Sequence, residues 1–134
     1  MNDIQVPISP GELLDKITIL RIKSARMSDA TKLDNVRREL ALLEMTWQRA
    51  LTAVELTPAT LRAQEQELQA VNERLWDIED RIRDHEAAGR FDAGFIELAR
   101  AVYINNDERA AIKKRINLAL NSSILEEKSY RPYR

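Results

Sequence analysis

One row of apolar side chains recurs every seven residues through the middle of the chain: Leu61, Leu68, Leu75 and Ile82. A second row, Gln64, Val71, Ile78 and His85, interleaves with it at spacings of three and four. A helix gathers side chains at that spacing into one stripe, because its period is about 3.6 residues. The pattern predicts a helix from about Pro58 to Ala88, ended by Gly89 at the position where a left-handed residue is wanted. At ~1.5 Å per residue this is a rod of roughly 40 Å. It cannot bury its stripe alone, so the fold has to supply other helices to cover it.

The remaining segments supply them. Ser9, Pro10 and Glu12 read as a capping box with proline at the first helical position, opening a helix from Pro10 to about Met27. Its apolar residues, Leu13, Leu14, Ile17, Leu20 and Ile22, spread around a wide face, so burial on more than one side is expected. Ser28 or Asp29 can cap a second helix, about Ala30 to Leu56. Its seam is Leu33, Leu40, Trp47 and Val54, interleaved with Val36, Leu43 and Ala50. Thr57 and Pro58 then cap and open the third helix. Asp92 can cap a fourth, about Ala93 to Asn121, whose seam reads Phe95, Leu98, Val102, Asn105, Arg109, Ile112, Ile116 and Ala119. Short connections favour antiparallel neighbours. The expected fold is an all-α antiparallel bundle of about four helices, three of them long with heptad seams, forming one domain over 1–134. Residues 1–9 read as an extended arm that lays Ile4, Val6 and Ile8 onto something. Residues 122–134 form a polar tail that either docks on the bundle or recruits a partner.

Composition narrows the function classes. The 134 residues are 44% hydrophobic and 32% charged, with 3 Gly and 4 Pro. Cysteine is absent, which excludes disulfides, thiolate chemistry and cysteine metal sites. One histidine leaves no His-rich transition-metal site. A formal net charge of −1 offers no global field for nucleic acid or an anionic membrane. No segment approaches the roughly 20 apolar residues of a membrane span, and the N-terminus lacks a signal-peptide pattern, so a cytoplasmic protein is expected.

The segments SPGELLDKITIL, WDIEDRIR, FIELARAVYINND and EEKSY, in this order, resemble those of an uncharacterised bacterial family of small all-helical domains of unknown function. The resemblance extends over most of the chain and implies one complete helical domain. It implies no catalytic residues, cofactor or activity.

Two constellations could carry chemistry. On the third helix Glu73, Asp77, Asp80 and Asp84 share one face, and like charges at that spacing repel. A divalent cation held by Glu73, Asp77 and Asp80 would relieve them. So would the pairs Asp77–Arg81, Glu79–Arg83 and Asp80–Arg83, and this ordinary solvated surface is the preferred reading. Trp76 points off the seam beside these acids, and coverage by the first helix or the arm is preferred to a dimer contact or a stacked ligand. On the fourth helix Asn105, Asn106, Asp107 and Arg109, flanked by Tyr103, interrupt the seam. They form either a buried network with Asn72 or Glu79, or an inter-helix pocket for a phosphate, sugar or carboxylate.

The candidate ligand or network residues are therefore Asn72, Trp76, Glu79, Tyr103, Asn106, Asp107 and Arg109. Function itself is unknown from sequence. The leading expectation is a non-enzymatic interaction domain that self-associates or takes a helical protein partner, without nucleic acid, membrane or cofactor. The alternatives are a Mg-dependent all-helical nucleotide pyrophosphatase-like hydrolase, for which the paired Glu-Glu-x-x-Glu half-motif is missing, and the phosphate or sugar binder.

Overall fold

A computed structural model describes residues 2–52 and 58–133. These form four helices: α1 (Pro10–Arg26), α2 (Ala30–Leu51), α3 (Pro58–Ala87) and α4 (Ala93–Ala119). The boundaries follow local chemistry. The Ser9 hydroxyl accepts from the Glu12 amide, Asp29 from the Lys32 amide and Asp92 from the Phe95 amide, each satisfying a first-turn N–H that has no intrahelical partner. Gly89 turns the chain out of α3 at φ 65°, where a Cβ would be strained. Val54 of the expected seam, the expected helix end at Leu56 and the Thr57 cap lie outside the described residues.

α1 is the hub. It packs against α2, α3 and α4, whereas among the described residues α2 packs chiefly against α1. The longest helix, α3, is therefore not the central rod that its length suggests. Residue pairs set the directions. Pro10 and Leu13 lie by Trp47 and Leu51, Gly11 lies by Asn117, and Asp15 lies by Arg109, so α2 and α4 both run antiparallel to α1. Asp15 meets Asn72 and Arg26 meets Asp77, so α3 runs alongside α1 in the same direction. Leu13, Leu14 and Ile17 of α1 meet Trp47 of α2, Leu61, Leu68 and Val71 of α3, and Ile112 and Ile116 of α4 in one core. The seams of α2, α3 and α4 point inward as their spacing requires, with Ala50 of α2 and Ala119 of α4 as exposed exceptions. No helix among the described residues is long and apolar enough to cross a membrane.

Three local expectations are corrected. The Glu12 carboxylate does not return to its own helix start, because the Lys113 ammonium holds it from α4. The arm does not bury its three apolar side chains: Ile4 and Val6 are exposed, and Val6 and Ile8 border a cavity beside Trp47. Of the three arginine pairs expected on α3, Glu79–Arg83 forms, while Asp77 is held by Arg26 of α1. A partner from α1 outcompetes the intrahelical pair because α1 lies directly against this face.

Candidate functional site

Asp15 lies on the side of α1 that faces α3 and α4, with Gly11, Thr18 and Ile22, and its carboxylate is shut off from water. It is 1% exposed, and Thr18 beside it is 0% exposed. A buried carboxylate is tolerated only if its lone pairs are filled. Three helices fill them. Asn72 Nδ2 of α3 donates to Asp15 Oδ1 at 2.9 Å and to Thr18 Oγ1 at 2.9 Å. Arg109 of α4 donates through Nε to Oδ1 at 2.9 Å and through Nη2 to Oδ2 at 2.5 Å, a two-pronged guanidinium–carboxylate pair. Lys113 Nζ, one turn further along α4, stands 3.7 Å from Oδ2. Burial pushes the Asp15 carboxyl up, but the hydrogen bonds from Arg109 and Asn72 and the charges of Arg109 and Lys113 outweigh it. The group is held below the usual aspartate value.

Lys113 carries this buried cluster outward. Its ammonium donates to Glu12 Oε2 at 2.7 Å and to Glu126 Oε2 at 3.2 Å. Burial lowers its pKa, but the Glu12 hydrogen bond and the charges of Asp15 and Glu12 outweigh burial and raise it. Close approach of α1 and α4 makes these contacts possible. The Gly11 amide donates to Asn117 Oδ1 at 2.7 Å, and a Cβ on Gly11 would stand 2.6 Å from the Lys113 carbonyl oxygen. Only glycine fits there.

Above the cluster lies an open groove of about 1430 Å³. Its floor is the outer face of α4, including Tyr103, Asn106, Asp107, Arg109 and Lys113, with Glu12 at one edge. Its other wall is the tail, which turns at Asn121 (φ 55°) and returns along α4. Contacts from both ends of this segment tie the tail to α4. Glu126 pairs with Lys113, and the Tyr133 ring meets the Tyr103 ring edge-on at 4.9 Å. Lys113 and Tyr103 are ten residues apart on α4, roughly 15 Å at ~1.5 Å per residue. The seven steps from Glu126 to Tyr133 span that distance with slack.

The expected site residues are distributed as follows. Tyr103, Asn106, Asp107 and Arg109 line the groove together. Asn72 belongs to the buried cluster beneath it and reaches Arg109 through Asp15. Glu79 is on the surface with Arg83 and joins neither. Trp76 is half-buried, with the Arg26 guanidinium 5.9 Å above its ring, so α1 covers it. Glu73, Asp77 and Asp80 are exposed on a face separate from the groove lining. Among the described residues no group of three or more His, Cys, Asp or Glu side chains is arranged to hold a metal ion.

Sequence reading passed over Asp15, Lys113 and Glu126. A signal for Asp15 is its helical spacing: it shares a face with Gly11, Thr18 and Ile22, away from the face of Glu12, Lys16 and Lys23. Lys113 stands in the run Lys113-Lys114-Arg115, whose side chains point about 100° apart around a helix, and Glu126 lies in a tail without periodicity.

The groove combines three tyrosine rings (Tyr103, Tyr130 and Tyr133) with amide, carboxylate and guanidinium groups in fixed positions. Such a surface can stack against an apolar ring face and exchange hydrogen bonds with hydroxyls around it. The lining contains no serine, threonine, cysteine or histidine, so no hydroxyl or thiol nucleophile with an imidazole base faces it. No curated protein and no solved structure matches the chain. A family model described as a family of unknown function (DUF6165) matches residues 4–133, almost the entire sequence, and the chain belongs to that family.

Proposed function

We propose that this protein is a binding module rather than a hydrolase, and that its ligand is a small hydroxylated molecule of the sugar class held between α4 and the tail. The observation that carries this reading is the groove lining: Tyr103, Asn106, Asp107 and Arg109 of α4 with Tyr130 and Tyr133 of the tail, and Arg109 locked from below by Asp15. A fixed guanidinium loses little freedom when it meets a ligand, which favours affinity. Asp107 makes no ion pair among the described residues, leaving a carboxylate available to hydroxyl donors. The expected inter-helix pocket thus becomes a groove between one helix and the chain's own tail.

Saturation-transfer difference NMR with glucose and glucose 1-phosphate tests it. The expected result is transfer to sugar ring protons that Tyr103→Ala abolishes and Asp77→Asn, on the far acidic face, leaves intact. Absence of transfer to either sugar would overturn the reading.

One observation supports a second reading, self-association. Val6, Ile8, Leu13, Trp47, Leu51 and Leu120 border a largely apolar cavity of about 300 Å³, with Ile4 exposed nearby on the arm. Light scattering after size exclusion tests it, and a strict monomer at high micromolar concentration contradicts it.

A further inference from the structure

The tail carries its own anion into the groove. Glu126 accepts from Lys113 Nζ at 3.2 Å and pairs with Lys128 Nζ at 2.5 Å, so one carboxylate is held between two ammonium groups. All three residues line the groove. The Glu126 side chain stays 43% exposed, and its charged partners among the described residues are these two ammonium groups. Hydrogen bonds from Lys128 and Lys113 keep its carboxyl below the usual glutamate value. The other two carboxylates near Lys113 are differently placed. Asp15 is buried behind it, and Glu12 is anchored on α1. Glu126 alone among the three has an exposed side chain outside a helix. With that carboxylate turned out of the groove and the tail still docked, Lys113, Lys128 and Arg131 face one opening, and Arg131 makes no ion pair among the described residues.

We infer that Glu126 occupies the seat of an anionic group of the ligand, phosphate or carboxylate, and that binding such a ligand displaces the Glu126 carboxylate from between Lys113 and Lys128 while the tail stays docked. The inference rests on the groove reading and deepens it: the ligand is a sugar phosphate or sugar acid rather than a neutral sugar, and the tail is an internal competitor. An exposed ion pair is weak, so the competition is modest and reversible. A dianionic phosphate meeting the same two ammonium groups replaces one charge with nearly two.

Isothermal titration at ~0.15 M ionic strength, where charges beyond about 8 Å are screened, tests it with glucose, glucose 1-phosphate and inorganic phosphate. Into the parent chain, glucose 1-phosphate is expected to bind more tightly than glucose. Glu126→Gln is expected to tighten glucose 1-phosphate by roughly three- to tenfold and to leave glucose unchanged. Glu127→Gln removes a neighbouring tail charge that does not line the groove and is expected to change affinity less than twofold. Inorganic phosphate gaining from Glu126→Gln by the same factor places the anion seat at these lysines regardless of the sugar.

If glucose 1-phosphate binds the parent but Glu126→Gln leaves its affinity unchanged or weaker, the competitor inference fails and the groove reading stands. If neither sugar binds either chain, both fail.

Discussion

Asp15 shows how much one residue can fix. Its carboxylate ties α1 to α3 through Asn72 and to α4 through Arg109. Removing one partner of a buried pair typically costs about 3–5 kcal/mol, and water moderates the loss where Arg109 remains 29% exposed. Asp15→Asn is therefore expected to lower unfolding free energy by about 2–3 kcal/mol at pH 7, measured by urea denaturation. The pH dependence has a definite sign. The folded Asp15 pKa is depressed, so its stabilisation is fully present above the unfolded value of about 3.9 and is lost as pH falls below it. The parent should lose stability steeply below about pH 4, and Asp15→Asn should flatten that limb. Gly11 is the second fixed point. Gly11→Ala places a methyl group against the Lys113 carbonyl and is expected to cost about 1–3 kcal/mol by the same measurement. The sequence carries a hint of the burial of Asp15, which stands four residues after Gly11 and three before Thr18 on one helix face. Which partner it takes is not legible there, because Asn72 and Arg109 are 57 and 94 residues away.

At the scale of elements, helix identity and ends were read well because caps and periodicity are local. Ser9, Asp29, Gly89 and Asp92 each act within one turn of where they stand. Helix roles were read less well. Length pointed to α3 as the centre, yet the shorter α1 touches every other helix because its apolar residues cover most of its circumference. Ile17→Ala in α1 is accordingly expected to cost about 2–5 kcal/mol, against less than ~0.5 kcal/mol for Leu42→Ala on the outer side of α2. Thermal denaturation of the two variants checks the contrast. The tail had no periodic pattern to read, since its structure comes from docking on α4 through Tyr133 and Glu126. Its removal after Ser123 should leave helical circular dichroism intact and lower stability by about 1–2 kcal/mol, one aromatic pair plus an exposed ion pair.

For the whole molecule, the two suspected constellations separate. The acids of α3 are one face, tied at Asp77 to Arg26, while the polar interruption of α4 forms the floor of the groove and reaches down to the buried aspartate. Buried network and open groove, weighed as alternatives for Asn106 and Arg109, are two depths of one feature. The direct test is a titration of ¹⁵N-labelled protein with glucose 1-phosphate, followed by amide correlation spectra. A ligand seated as proposed shifts the amides of Tyr103, Asn106, Arg109 and the tail from Glu126 to Tyr133, while those around Glu73 and Asp80 stay still. Unshifted spectra at saturating sugar phosphate, or shifts centred on the acidic face of α3, would contradict the account.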